Sequence, residues 1–419
     1  MTWPVICHAF MLTMSAGRAD SHDGLREVSA NTEKALQYLL IGHILCNLSV
    51  IRLRTSILCE ASFFRRHCPH DPGHLIDRAV IMIEETIFYI CIGMIFVFAF
   101  VNGFHDGGNV IASIICSRSI RPLRALALAC MGELLGPLLL GTAVAVTMSS
   151  NILKPEMLET LSKTGIYILV GSAVGSAIFW KLPTWYLGIP SSGSHALLGG
   201  MVGAGIISLG EASVSVDKVL VTVVIPMLTS PLIGIILGYI IFSMIRTSFR
   251  SSHRGIGRLF TVLQKPTVIF LAATHGSNDA QKSMGLISIA LAAGSGEMHG
   301  GLPLPFWAIL GCAVAISSGL AFGGWRIVKT VGFGICRMEP VHSFSSQLAS
   351  TGVILSASMV GFPVSTTQII ASSVMGVGAS RRLSGVRWSA AANIAYAWLL
   401  TFPVCSVMGA GLCWLLNKL

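Results

Sequence analysis

Two acidic residues of this 419-residue chain lie in apolar stretches, and each follows a glycine by three positions. Asp106 belongs to residues 102–109 (NGFHDGGN), and Asp279 belongs to residues 275–282 (HGSNDAQK). A carboxylate at membrane depth is costly and marks a functional site by default. Oxygens of Asp and Asn are hard ligands suited to Na⁺, whereas an Asp alone could carry a proton. The motifs therefore predict a cation or proton site, with a polar cluster that only joins helices as the alternative.

Two further charged residues belong to the same question. Glu133 is isolated inside the apolar segment 125–148, where it could serve an ion pathway or make a structural hydrogen bond. Lys282 follows Asp279 by three positions. It could balance that carboxylate, attract an anion, or extend its ammonium group to a membrane interface. The sequence leaves these alternatives open for both residues.

Two proline motifs rich in hydroxyl groups form a second pair, residues 190–195 (PSSGSH) and 363–368 (PVSTTQ). Each lies between short apolar runs, which predicts a chain that enters the membrane, turns at the proline and returns as a re-entrant hairpin. Hydroxyl residues just after the proline fall at a helix N-terminus, where free N–H groups and the helix dipole favour an anion. Two such ends facing each other would hold a tetrahedral oxyanion. Ordinary capping of the helix by Ser and Thr is the alternative.

Both motif pairs repeat with one offset of 173 residues, which indicates an internal duplication. Gly103 of the first aspartate motif matches Gly276 of the second, and Pro190 of the first hairpin motif matches Pro363. Gly203 and Gly376 follow in the same register. Several motifs in one register are far less expected by chance than a single coincidence.

The charges of corresponding loops are reversed between the two copies. Residues 117–124 contain three arginines, whereas their counterpart 290–297 contains no Lys or Arg. Residues 206–214 contain none, whereas 379–387 contain three arginines. The connector 246–265 contains five basic residues and no acid, so it is predicted to be cytoplasmic. An inverted repeat follows, which is typical of secondary transporters that work by alternating access.

The composition fits helices in a bilayer. Hydrophobic residues make up 53% of the chain and charged residues only 11%, against about 25% charged in soluble domains. Apolar stretches of membrane-spanning length recur, and only helices satisfy their backbone groups there. We expect an all-α polytopic membrane protein, an inverted-topology repeat of discontinuous helices with two re-entrant hairpins. Residues 86–117 are long for one straight span and rich in glycine, which predicts a helix break at Asp106.

The predicted organisation has four parts: an uncertain or disordered extension (1–83), a first transmembrane repeat (84–245), the basic connector (246–265) and a second, inverted repeat (266–419). The extension is either a real segment with a marginal helix or translated upstream sequence before a start near Met82, and the second is favoured. The net charge of +10 lies mostly in loops, so nucleic acid is not expected as a partner. No cysteine spacing indicates a zinc site or a disulfide framework.

These residues resemble the inorganic phosphate transporter (PiT) family. Residues 100–121 and 274–289 look like its two aspartate signatures, and 361–397 are similar over nearly forty residues. The likeness covers residues 84–419. It implies a multi-pass protein of the cell membrane that carries phosphate with Na⁺ or H⁺ and no other cofactor, often as a homodimer. It also implies cation ligands at Asp106, Asn109, Asn278 and Asp279, and phosphate ligands at Ser192, Ser194, Ser365, Thr366 and Thr367.

The sequence departs from that family at a few positions. Gly107 and Gly108 stand where Ala or Val is usual, and Gln368 stands where His is common, while His195 keeps that position in the first copy. Because His195 has no histidine at the equivalent position of the second copy, the sequence leaves the coupling ion open. Sulfate would fit the same cage and is the alternative substrate.

An intramembrane hydrolase and a channel are weaker alternatives to a transporter. A triad of Ser194, His195 and Asp106 would leave the duplication unexplained, and no G-x-S-x-G elbow is present. The inverted repeat and the two carboxylates suit alternating access better than a channel.

Overall fold

The computed structural model describes residues 73–150, 153–251, 256–296 and 304–418. Residues 73–86 form the start of the first helix, and the account below concerns residues 87–418. The predictions for residues 1–72 lie outside the described residues. The α-helices, in chain order, are α1 (Gly73–Cys116), α2 (Pro122–Leu139), α3 (Ala143–Ser150), α4 (Pro155–Leu158), α5 (Lys163–Tyr186), α6 (Gly193–Leu209), α7 (Val216–Val219), α8 (Ile225–Ser248), α9 (Ile256–Ser295), α10 (Phe306–Phe322), α11 (Trp325–Val328), α12 (Pro340–Met359), α13 (Thr366–Arg381) and α14 (Trp388–Lys418).

The described residues are almost entirely helical and contain no named strand. Six helices, α1, α2, α5, α8, α9 and α14, are long and apolar enough to cross a bilayer. Helix α10 and the segment that begins with α11 pass the same test together, with a bend of 62° between them. The predicted all-α polytopic architecture is confirmed. The remaining helices are shorter or less apolar, among them α3, α6, α12 and α13.

The helix boundaries around the two hairpin motifs repeat with the offset found in the sequence. Helices α5 and α12 end at Tyr186 and Met359, and α6 and α13 each begin seven residues later. In both turns a glycine adopts a positive φ, +68° at Gly188 and +81° at Gly361, a conformation that glycine reaches without a steric penalty. Thus the local sequence encodes both turns in the same way. The re-entrant path and the inverted orientation stay predictions.

Glycines bring the first helix of each half against the second helix of the other half. A β-carbon placed on Gly276 of α9 would lie 2.8 Å from the Cα atom of Glu133 on α2. One on Gly103 of α1 would overlap the backbone carbonyl of Ile316 on α10. Each helix that carries an aspartate motif therefore packs closely against a helix of the other predicted repeat.

The predicted helix break at Asp106 was wrong. Helices α1 and α9 continue through Asp106 and Asp279 without interruption. The glycines serve close packing instead: a β-carbon on Gly108, for example, would overlap the backbone of Gly324. The helices are interrupted elsewhere, at the hairpin turns, between α2 and α3, and at the bend after α10. Carbonyls near the carboxylates therefore remain in helical hydrogen bonds.

Candidate functional site

The two hairpin helices begin with equivalent caps. The hydroxyl oxygen of Ser192 accepts the backbone N–H of His195 at 3.3 Å, and that of Ser365 accepts the N–H of Gln368 at 3.4 Å. All five hydroxyl side chains predicted to bind phosphate are at least 97% buried. They are Ser192, Ser194, Ser365, Thr366 and Thr367. Ser192 and Ser365 therefore do cap their helices. A hydroxyl oxygen that accepts a backbone N–H still has its own hydrogen to donate.

Asp279 joins three helices through its carboxylate. Its Oδ2 atom accepts Nδ2 of Asn102 from α1 at 2.8 Å, and its Oδ1 atom accepts Nζ of Lys282 on α9 at 2.5 Å. The hydroxyl of Thr366, in the first turn of α13, donates to Oδ2 at 3.2 Å. Asp279 is only 2% exposed. The structure therefore brings the second aspartate motif directly to the second hairpin.

Lys282 connects this carboxylate to the first hairpin as well. Its ammonium group lies 2.5 Å from the hydroxyl oxygen of Ser194 and 3.1 Å from the carbonyl oxygen of Val364. Together with Asp279, these partners use all three donors of the ammonium group. Since Lys282 is 1% exposed, its side chain does not extend to an interface. It balances Asp279 and at the same time reaches a predicted phosphate ligand.

Asp106 has a similar arrangement with different partners. Its Oδ2 atom forms an ion pair with Lys181 of α5, and its Oδ1 atom lies 2.7 Å from Nδ1 of His105. An ionised carboxylate only accepts, so Nδ1 carries the proton. The Nε2 atom then faces the hydroxyls of Thr184 and Ser191, at 3.2 and 3.3 Å. Asp106 is thereby fixed to α5 and to the turn before α6.

Sequence reasoning missed Lys181, which is completely buried. It is the only Lys or Arg between residues 164 and 217. The rule that singled out the two aspartates, that an ionisable residue inside an apolar segment is functional by default, applies to it equally. Its partner Asp106 is 75 residues away in the chain. Neither local spacing nor the repeat therefore pointed to this pair.

Glu133 approaches the second aspartate motif from α2. Its Oε1 atom is 2.8 Å from Nδ1 of His275, whose Nε2 atom is 3.5 Å from Oδ2 of Asp279. The imidazole is not aligned for a hydrogen bond with either carboxylate, although both lie at ion-pair distance. Glu133, His275 and Asp279 thus form a row of buried ionisable side chains that runs from α2 into α9.

The predicted asparagines contribute oxygen atoms that accept no hydrogen bond within the described part of the chain. The Nδ2 atom of Asn278 donates to Ser358 at 2.8 Å, and that of Asn109 approaches the hydroxyl of Thr367 at 3.4 Å. The Oδ1 atoms of both, like that of Asn102, are buried without a donor. Such neutral oxygens are hard ligands that fit Na⁺. Among the described residues no group of three or more His, Cys, Asp or Glu side chains could hold a metal ion.

His195 and Gln368, which occupy equivalent positions of the two copies, differ in their surroundings. The Nδ1 atom of His195 is buried and has no hydrogen-bond partner among the described residues. The Oε1 atom of Gln368, at the equivalent position of the other half, accepts the hydroxyl of Ser230 from α8 at 2.9 Å. Gln368 therefore joins α13 to α8, and the two halves are not equivalent here.

A protein-family model matches most of the chain, including the residues of this site. The model of the phosphate transporter family matches residues 102–256 and 248–409. The chain belongs to this family. The family prediction is thereby confirmed, and the family's members are transporters rather than enzymes, which removes the hydrolase alternative. The protein is accordingly a multi-pass integral membrane protein.

Individual relatives support the family, and one solved structure shares the fold. The chain is 36% identical over 342 residues to a probable low-affinity inorganic phosphate transporter of Bacillus subtilis, which covers 81% of this chain and 99% of that protein. A protein of Rhizobium meliloti with the same description is 37% identical over 327 residues, 77% of this chain and 95% of its own. A solved structure described as the sodium-dependent phosphate transporter matches with a TM-score of 0.73 at 24% identity, covering 80% of this chain and all of that one, which shows the fold.

Proposed function

We propose that the protein is a secondary active transporter that carries inorganic phosphate across the membrane together with Na⁺ or H⁺. The family and the descriptions of its relatives support phosphate as the substrate. The observation that carries the coupling is Lys282, whose ammonium group contacts both the carboxylate of Asp279 and the hydroxyl of Ser194. A group that touches both predicted sites lets the occupancy of one act on the other.

In this proposal the cation binds at the aspartate motifs. Asp106 with Asn109, and Asp279 with Asn278, would hold Na⁺ through carboxylate and amide oxygens. Alternatively, the two carboxylates would accept protons. The description of the solved relative as sodium-dependent concerns that protein, and the coupling ion here is left to experiment.

Phosphate binds between the two hairpins in this proposal. The hydroxyls at the starts of α6 and α13 and the free N–H groups of their first turns would donate to its oxygens. The two hairpins enter the membrane from opposite sides and the halves are inverted. Phosphate then reaches the site alternately from each side as one half moves against the other. The connector 246–265 is cytoplasmic, and the protein works in the cell membrane as a homodimer.

Uptake of radiolabelled phosphate into proteoliposomes tests this function. Na⁺ and pH gradients are imposed separately, and sulfate serves as a competitor. We expect phosphate uptake that one of the gradients accelerates and that excess sulfate reduces little. Transport of sulfate without phosphate would show that the substrate is wrong. Full uptake by both Asp106→Asn and Asp279→Asn would show that the cation site is wrong.

A further inference from the structure

We propose that Lys181 and Lys282 are exchangeable internal cations that hold the two aspartates in the empty transporter and turn to phosphate when the coupling cation takes the carboxylates. This inference rests on the function proposed above. It assigns the positive charge of the phosphate site to two named side chains, one of which no motif singled out. It also gives a physical route by which cation and phosphate binding depend on each other.

Each buried carboxylate of the aspartate motifs is already neutralised by one lysine. Lys181 pairs with Asp106, and Lys282 pairs with Asp279. All four side chains are at most 2% exposed. A buried ion is strongly destabilising when its partner is removed, so these pairs are the resting state of a site without ligands. A cation that occupies a carboxylate therefore releases an ammonium group that needs a new anion.

Both ammonium groups lie against the start of the same hairpin helix, α6. That of Lys282 contacts the hydroxyl of Ser194 at 2.5 Å. That of Lys181 lies 2.8 Å from the position that a β-carbon on Gly193 would occupy. Glycine at position 193 therefore leaves the space that the ammonium group of Lys181 occupies beside the start of α6. Two positive groups and a helix N-terminus that also favours anions converge at one place.

The duplication does not explain this convergence, because neither lysine has a lysine at its repeat position. The equivalent of Lys282 in the first half is Asn109, and the equivalent of Lys181 in the second half is Ile354. The start of α13 instead faces the carboxylate of Asp279 through Thr366. Lys282 also reaches the carbonyl oxygen of Val364 in the second hairpin motif and so lies between the two hairpins, whereas Lys181 adds its charge at the first hairpin. Phosphate would bind asymmetrically, with its charge toward α6.

The chemistry of lysine suits such an exchange. Its ammonium group is a compact charge on a flexible four-carbon stem, so a rotation of the side chain moves the charge by several ångströms without moving the helix. Two ammonium groups also match the two negative charges of a phosphate dianion. By linkage, a cation that frees a lysine tightens phosphate binding, and phosphate tightens cation binding by the same factor.

The decisive comparison is between Asp279→Asn and the double variant Asp279→Asn with Lys282→Met. If lysine turns to phosphate, the single variant has a freed ammonium group and binds phosphate whether or not the coupling cation is present. The double variant lacks that contact, and we expect its phosphate affinity to be about 10- to 100-fold weaker than that of the single variant. Asp106→Asn, alone and with Lys181→Met, repeats the comparison at the other pair.

Equilibrium binding of ³²P-phosphate to purified protein in detergent measures the effect, in sodium chloride and in choline chloride, each at acidic and neutral pH. A thermal melt with and without phosphate establishes that each variant is folded. The exposed pair Arg381 and Glu339, with nitrogen and oxygen 3.0 Å apart, provides the matched control. Glu339→Gln alone and with Arg381→Met should bind phosphate equally well.

Equal phosphate affinity of the single and double variants at both pairs would overturn the exchange, because the lysines would then serve only as counter-ions. A second result would do the same: a double variant that binds phosphate better than the single one. The proposed function fails differently, since the unaltered protein would then neither bind nor transport phosphate. Lys282→Arg, which keeps the charge, should retain more phosphate binding than Lys282→Met.

Discussion

The crossing of α9 and α2 at Gly276 allows one substitution to be worked out from the structure. In Gly276→Ala the new β-carbon would lie 2.8 Å from both Cα and O of Glu133, whereas ordinary contacts begin at 3.4 Å. The two helices must therefore separate by about 0.6 Å or more, since the obstacle is backbone. Overpacking of this kind costs about 1–3 kcal/mol, and the better helix propensity of alanine offsets about 1 kcal/mol.

Gly93 of α1 provides the control, because nothing lies within 4 Å of its added β-carbon. Gly93→Ala should be neutral or stabilising by up to about 1 kcal/mol. Unfolding of both variants in mixed micelles with increasing SDS gives the difference in stability. Gly276→Ala should be clearly the less stable of the two and should also transport more slowly, since Asp279 lies one helical turn further on. Equal stability of the two variants would refute the close crossing.

The other predictions concern charges, caps and the first hairpin turn. Asp279→Asn should destabilise the phosphate-free protein by about 3–5 kcal/mol, because the ammonium group of Lys282 loses its carboxylate; unfolding in SDS without phosphate measures this, and an unchanged midpoint would contradict it. Ser192→Ala and Ser365→Ala should each cost about 1 kcal/mol of stability through the lost cap. Both should also raise the KM for phosphate uptake. Unchanged uptake kinetics would restrict these hydroxyls to capping. Arg326→Ala should cost about 1 kcal/mol of stability. Its guanidinium group stacks on the rings of Trp185 and Tyr186 at the end of α5 and donates to the carbonyl oxygen of Tyr186 at 2.7 Å. A melting temperature equal to that of the unaltered protein would argue against this contact.

The hairpin turns could be predicted from the sequence because local residues determine them. Glycine at a positive φ, a proline next to the turn and a hydroxyl cap act within a few residues, and all recur at the 173-residue offset. The aspartates were found for a related reason, since the cost of a charge in an apolar segment does not depend on its partners. Both features can be recognised without knowing which helices meet.

The pairing of those charges could not be predicted in this way. Lys181 reaches Asp106 only because α5 packs beside α1, and Lys282 reaches Ser194 only because α9 lies against the start of α6. The predicted helix break at Asp106 failed for a similar reason. Glycine lowers helix propensity by only about 1 kcal/mol, and close packing of Gly103 and Gly276 on the opposite half outweighs that preference.

The most direct test of coupled transport is accumulation of phosphate against its own gradient. Proteoliposomes are loaded with phosphate at the external concentration, and a Na⁺ or proton gradient is then imposed while ³²P-phosphate is followed. We predict that one of the two gradients drives internal phosphate above the external level, and that a variant with both Asp106→Asn and Asp279→Asn loses this accumulation. Simple equilibration of phosphate under both gradients in the unaltered protein would contradict cation-coupled transport.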